Sequence, residues 1–214
     1  MKIEFENVLP GEIEKRSFEI ITAELEQNGI ILDEKLSPVI KRVIHTTADF
    51  EYAHSLYFSE GVMGAAEQAI RKGACIVTDT RMAMAGINKR VLARFGGEVI
   101  NFMADEDVAE AAKRNGTTRA VACMDKAAQI DRPLIFVIGN APTALIRLYE
   151  LIREEKIAPE LIIGVPVGFV NVVFAKELIM QSGVPCIVAR GRKGGSNVAA
   201  AICNGILYQM TDRK

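Results

Sequence analysis

The amino-acid sequence predicts a doubly wound α/β domain, a mostly parallel sheet with helices on both faces and a helical extension before the first strand. Three observations predict it. Apolar runs of four to six residues alternate with helical stretches of ten or more, the pattern of strands buried on both faces. The runs end in turns rich in Gly, Asn, Asp and Pro, where βα connections begin. At 214 residues, half of them hydrophobic, the chain has material for one domain over 1–214 with a sizeable core. The right-handed crossover rule then orders the strands as a doubly wound sheet.

The elements follow in order. Pro10-Gly11 opens a helix that runs to about Asn28-Gly29, with Ile13, Ile20, Ile21 and Leu25 as its apolar face. Ser17, beside Arg16, lies at i+4 from Ile13 on that face. A serine there either bonds back to the i−4 carbonyl or faces a pocket. Ser37 as N-cap and Pro38 in the first turn open a second helix, whose stripe is Val39, Ile40, Val43 and Ile44. His45 closes it, with Thr46, Thr47 and Asp49 beside it to orient the ring. Glu51 to Ser59 reads as irregular chain entering a strand near Ser55–Phe58, with His54 exposed at its start.

From there helix and strand alternate. Val62 to Lys72 is amphipathic and stops at Gly73; Ala74–Thr78 is a strand, followed by a helical stretch holding Met82 and Met84. Glu98–Phe102 is a strand, Asp105 caps a helix to about Arg114, and Arg119 to Ile130 forms the next. Pro133–Ile138 is the clearest buried strand and precedes a helix from Ala141 to Glu155. Leu161–Ile163 and Pro185–Ala189 are the last strands, separated by a helix to about Ser182 and followed by a final helix after Ser196.

Composition excludes several classes. A net charge of −1 argues against a general nucleic-acid binder, so any anion site is a local cluster of cations. No apolar run reaches membrane-spanning length, and Met1–Glu6 lacks the apolar core of a signal peptide. A cytoplasmic protein is therefore expected. Cys75, Cys123, Cys186 and Cys203 show no CxxC or CxxH spacing, which favours reduced structural thiols over zinc or disulfides.

Ligands of open α/β sheets bind beyond the carboxyl ends of the strands. Those ends are rich here. Asp79-Thr80 follows one strand, and Gly139-Asn140-Ala141-Pro142-Thr143 another, where Asn140 is placed to cap a helix whose first N–H groups face an anion. Gly164 to Gly168 follows a third. The last is Arg190-Gly191-Arg192-Lys193-Gly194-Gly195-Ser196, three cations and three glycines, suited to a backbone nest flanked by charge. There is no GxxxxGK[ST] and no GxGxxG after the first strand. Together the loops point to a large ligand with several negative groups.

Arg42–Phe50 (RVIHTTADF), Gly139–Leu145 (GNAPTAL), Ile162–Val170 (IIGVPVGFV) and Gly191–Ser196 (GRKGGS), in this order, resemble the precorrin-8X methylmutase family, and its cobalt-precorrin-8 methylmutase branch in particular. Lys15-Arg16-Ser17-Phe18 and Thr117-Thr118-Arg119 match as well, and the resemblance runs from about residue 10 to 207. It implies a flavodoxin-like three-layer fold and a homodimer with active sites near the interface. It also implies transfer of a methyl group from C11 to C12 of a corrin precursor, a tetrapyrrole, to give cobyrinate, or hydrogenobyrinate in the metal-free branch. No methyl donor, metal or other cofactor is implied.

Carried over residue by residue, His45 matches the histidine that handles a proton at ring C, Ser17 a substrate-contacting serine, and Arg119 an active-site arginine. Arg16, Asp79, Asn140, Arg190, Lys193 and Ser196 fit as further substrate-binding residues. One departure stands out: Phe174-Ala175 occupy the place where the family often has a Glu-Ser pair. The alternatives from other classes are a phosphate- or nucleotide-handling α/β enzyme built on Asn140 and the Arg190–Ser196 loop, and a non-catalytic corrinoid-binding protein that needs no acid at position 45.

Overall fold

The computed structural model describes residue 6 and residues 8–211. In chain order the first elements are α1 (Ile13–Gln27), α2 (Ser37–Thr47), α3 (Tyr52–Ser55), β1 (Leu56–Phe58), α4 (Val62–Arg71), β2 (Cys75–Thr78), α5 (Arg81–Gly86), α6 (Lys89–Ala93) and β3 (Glu98–Ile100). There follow α7 (Glu106–Arg114), α8 (Arg119–Ala127), β4 (Leu134–Ile138), α9 (Pro142–Arg153), β5 (Leu161–Gly164), α10 (Val172–Met180), β6 (Cys186–Ala189) and α11 (Ser196–Gln209). The stretch read for a signal peptide lies outside the described residues, Glu6 excepted.

The sheet order is β1-β6-β5-β4-β2-β3. Strands β2 to β6 run parallel and β1 joins β6 antiparallel at the edge, pairing Leu56 with Ala189 and Phe58 with Ile187. An antiparallel edge on a parallel sheet is a common way to finish an α/β fold. Counted in chain order, the parallel strands are arranged 2-1-3-4-5, the flavodoxin-like order, and the winding reverses between β2 and β4.

Alternation along each strand feeds two cores. Ile76, Ile135, Val137, Ile163 and Ile187 face the layer of α1, α2, α4 and α11. Val77, Leu134, Phe136, Ile162 and Val188 face the layer of α7 to α10. Helix α11 lies close against α2 because Gly205 leaves room: a Cβ there would sit 3.0 Å from Val39 Cα. All four cysteines are free and buried, and burial pushes the Cys75, Cys123 and Cys186 thiols up to about 11 and Cys203 to about 12. No helix among the described residues is long and apolar enough to cross a membrane.

Several local expectations are corrected. Ile13 and Ile20 are 52% and 40% exposed, so α1 buries a narrower face of Ile21 and Leu25 against α2. Ser37 is the first helical residue and no cap; Leu36 flanks it, and Asp33 Oδ1 accepts from the Lys35 and Leu36 N–H groups. Asp105 stands at the N-cap of α7 without a capping bond, because its carboxylate takes Lys126 Nζ at 2.7 Å. The segment 51–59 holds the short helix α3 as well as β1, and His54 is exposed.

Candidate active site

The loops after the parallel strands share one edge of the sheet, and Asp79 organises its centre. It leaves β2 at the point where the winding reverses and is 2% exposed. Its Oδ1 accepts from Gly139 N at 2.9 Å, and its Oδ2 from Asn140 N and Ala141 N, both at 2.7 Å. The amides expected to greet an external anion are thus filled by an internal one. Burial raises the Asp79 pKa, opposed by the N–H groups of Gly139, Ala141 and Asn140. Asn140 gives its backbone to this clamp and keeps its side chain exposed, and α9 has no side-chain cap. Next door, Thr80 Oγ1 and Ser196 Oγ meet at 2.7 Å. Gly139 is needed there, since a Cβ would fall 2.7 Å from Ser196 Cα.

Arg119 opens α8, exposed. Its neighbour Thr118 caps that helix through Val121 N at 3.2 Å and meets Thr143 Oγ1 on α9 at 3.2 Å. Arg119 and Asn140 therefore stand at the mouths of two tethered helices.

The basic loop forms the other side of the edge. Gly195 N donates to Val165 O at 2.8 Å and Gly168 N to Arg192 O at 3.1 Å, which zips it to the loop after β5. Arg190 lies 5.0 Å from the Tyr57 ring, turned toward the edge strand β1, and Arg192 lies 5.4 Å from Phe169. Lys193 Nζ reaches Asp49 at 2.6 Å and Glu51 at 2.7 Å, holding the Asp49 carboxyl below its usual range. That pair ties the loop to the chain that follows His45.

His45 sits exposed in the last turn of α2. Its ring stacks on Phe18 at 5.3 Å between centroids. The expected orienting groups are turned elsewhere: Thr46 donates to Arg42 O, Thr47 to Val43 O, and Asp49 pairs with Lys193. A threonine hydroxyl in a helix finds its own i−4 carbonyl first, so Phe18 sets the plane of the ring. Ser17 bonds back to Ile13 O at 2.9 Å and Arg16 pairs with Glu6 at 2.6 Å, both on the helix that supplies Phe18. Arg42 bonds Glu14 at 2.8 Å and lies 5.1 Å and 4.6 Å from the Phe18 and Tyr208 rings. Arg42 is a candidate site residue that the sequence reading does not single out, although its i+3 spacing to His45 puts both on one helix face.

Two clusters result. One is His45, Phe18, Ser17, Arg16 and Arg42 on α1 and α2; the other is Asp79, Asn140, Arg119 and Ser196 around the switch point. The 190–196 loop joins them through Lys193 to Asp49 and Ser196 to Thr80. Among the described residues no group of three or more His, Cys, Asp or Glu could hold a metal ion.

The family model for precorrin-8X methylmutase matches residues 12–209. The chain belongs to the precorrin-8X methylmutase family. It is 45% identical over 199 residues to the cobalt-precorrin-8 methylmutase of Priestia megaterium, covering 93% of this chain and 88% of that one. Identity to the enzyme of that name from Salmonella typhimurium is 44%, covering 95% and 97%. A solved structure of precorrin-8X methylmutase from Thermus thermophilus superposes with a TM-score of 0.82 at 40% identity, covering 92% of this chain and 96% of that one. Family membership makes the chain a methylmutase, an isomerase of cobalamin biosynthesis acting on a corrin precursor.

Two features of this edge are not visible in the sequence. Lys176 is buried beneath the basic loop. Val167, Phe169, Val170, Val173 and Phe174 are exposed large apolar side chains beside it.

Proposed function

We propose that this chain moves the methyl group of cobalt-precorrin-8 from C11 to C12, giving cobyrinate, with His45 as the proton donor and acceptor. The observation that carries the reading is the placement of His45. It is exposed, its ring nitrogens have no hydrogen-bond partner among the described residues, and Phe18 fixes its plane. Such a ring is free to exchange a proton with a bound ligand.

Substrate and product are isomers, so the bond to C11 breaks as the bond to C12 forms. Any proton lent to the macrocycle returns to His45. Protonation makes the ring system electron-poor and eases the migration. Arg119, Arg190, Arg192 and Lys193 meet the acetate and propionate carboxylates, Arg in bidentate fashion. Ser17, Arg16, Asn140 and Ser196 line the approach, while Asp79 acts from behind by shaping the 139–141 turn. Much of the catalysis is then positioning and electrostatics.

Two further readings belong to the proposal. A second copy of the chain covers the apolar segment Val167–Phe174 and brings the active site to a dimer interface. Phe174, where the family often has Glu, adds to that patch, while Ala175 is buried. The nucleotide-handling alternative loses support because the Gly139–Ala141 amides are already taken by Asp79.

The test is an anaerobic absorbance time course with cobalt-precorrin-8 and, in parallel, its metal-free counterpart. Conversion of the cobalt substrate at the higher kcat/KM is expected. Preference for the metal-free substrate would overturn the branch assignment, and binding without conversion would make the chain a carrier.

A further inference from the structure

The 190–196 loop rests on a buried cation. Lys176, on α10, is 1% exposed, and its Nζ donates to Gly191 O and Lys193 O, both at 2.8 Å. Lysines near a surface normally extend their ammonium to water. This one is turned inward, with no carboxylate paired to it among the described residues. The charged neighbours on the loop, Arg190, Arg192 and Lys193, are all of its own sign. A buried, unpaired ammonium costs stability, and burial pushes Lys176 down to about 8.

What that cost achieves is a loop shape. A trans peptide holds its C=O and the following N–H on opposite sides. Drawing the Gly191 and Lys193 carbonyls down therefore turns the Arg192 and Gly194 N–H groups up. Neither N–H has a partner among the described residues. Glycine is required at both bends: Gly191 has φ +75°, and a Cβ on Gly194 would lie 2.1 Å from Val165 O. The result is a pair of outward amides, flanked by the loop's cations and backed by the Lys176 ammonium.

We propose that Lys176 is a positioning residue of the methylmutase: its ammonium fixes the loop in the shape that receives a substrate carboxylate and finds its counter-charge when that carboxylate is seated. The inference rests on the reading that this loop binds the carboxylates of the corrin precursor.

The test compares wild type, Lys176→Met and Lys176→Gln by absorbance titration with the product, cobyrinate, and by steady-state kinetics on cobalt-precorrin-8. Circular dichroism establishes that each variant folds. Gln keeps two N–H donors and loses the charge; Met loses both. Expected for Met is a rise of about tenfold or more in Kd and KM, with kcat within about threefold, and a smaller rise for Gln. A folded Lys176→Met with wild-type Kd and KM would overturn the inference, as would a fall in kcat at unchanged KM. If Met does not fold, Gln decides by the same readouts. Wild type that binds no cobyrinate would overturn the carboxylate reading itself; wild-type binding equalled by the variants overturns the role of Lys176 alone.

Discussion

Asp79 and Lys176 hold the two sides of the site from within, one by accepting three amides and the other by donating to two carbonyls. Asp79→Asn turns an acceptor-only group into one with an amide that faces N–H donors. Loss of one or two bonds in a buried place costs about 2–4 kcal/mol, read as a lowered Tm. Lys176 carries a sign that can be checked. Its folded pKa, about 8, lies below the ordinary value of 10.5. Below 8 both states hold the proton and the burial cost is full. Between 8 and 10.5 the folded state sheds it while the unfolded state keeps it, so wild type gains stability as pH rises. The Tm of Lys176→Met relative to wild type should fall across that window, and a difference independent of pH would contradict the assignment. Neither role is legible in the sequence. Lys176 stands beside Glu177 in a helix, and a charged pair there reads as solvated. Asp79 meets partners some 60 residues away, a pairing that no local pattern announces. The position of His45 is legible, because the helix stripe and its flank follow from spacing, whereas its proposed role comes from the family resemblance.

Helix α2 carries His45, and α11 follows directly on the basic loop, so their contact sets the distance between the proposed acid and the proposed anion seat. Gly205 faces Val39 in that contact, where an added Cβ would sit 3.0 Å from Val39 Cα. Gly205→Val should push the helices apart, at a cost of about 1–3 kcal/mol for overpacking. It should also lower kcat by more than its effect on folding explains, measured as activity of the folded fraction. At this scale the strands are plain in the sequence. A continuous apolar run such as Leu134–Ile138, closed at both ends by turn residues, is too short for a buried helix and long enough for a strand. The broader face expected of α1 fails for a physical cause: an apolar residue at helical spacing is buried only if a neighbour covers it, and α1 packs chiefly on α2.

Across the whole molecule, the parallel sheet delivers five loops to one edge, and the order reversal between β2 and β4 opens the place where a flavodoxin-like fold usually holds a ligand. Here the centre of that place is closed by Asp79, so the proposed ligand seat lies farther out, toward His45, the basic loop and the apolar segment. Phe169 and Val170 are 82% and 78% exposed in a single chain, an apolar surface that a partner would remove from water. On the proposal that a second copy covers this patch, wild type is expected to be a dimer by light scattering and Phe169→Glu to shift the mass toward monomer and reduce activity with it; a monomeric wild type or an unchanged dimer in the variant would contradict that proposal. The central claim is that His45 handles the proton while other residues bind the substrate. Its most direct test is a single-turnover absorbance experiment on cobalt-precorrin-8 with wild type and His45→Ala. The account predicts binding within a few-fold of wild type and a rate lower by about 10²–10⁴. Conversion by His45→Ala at the wild-type rate would contradict it.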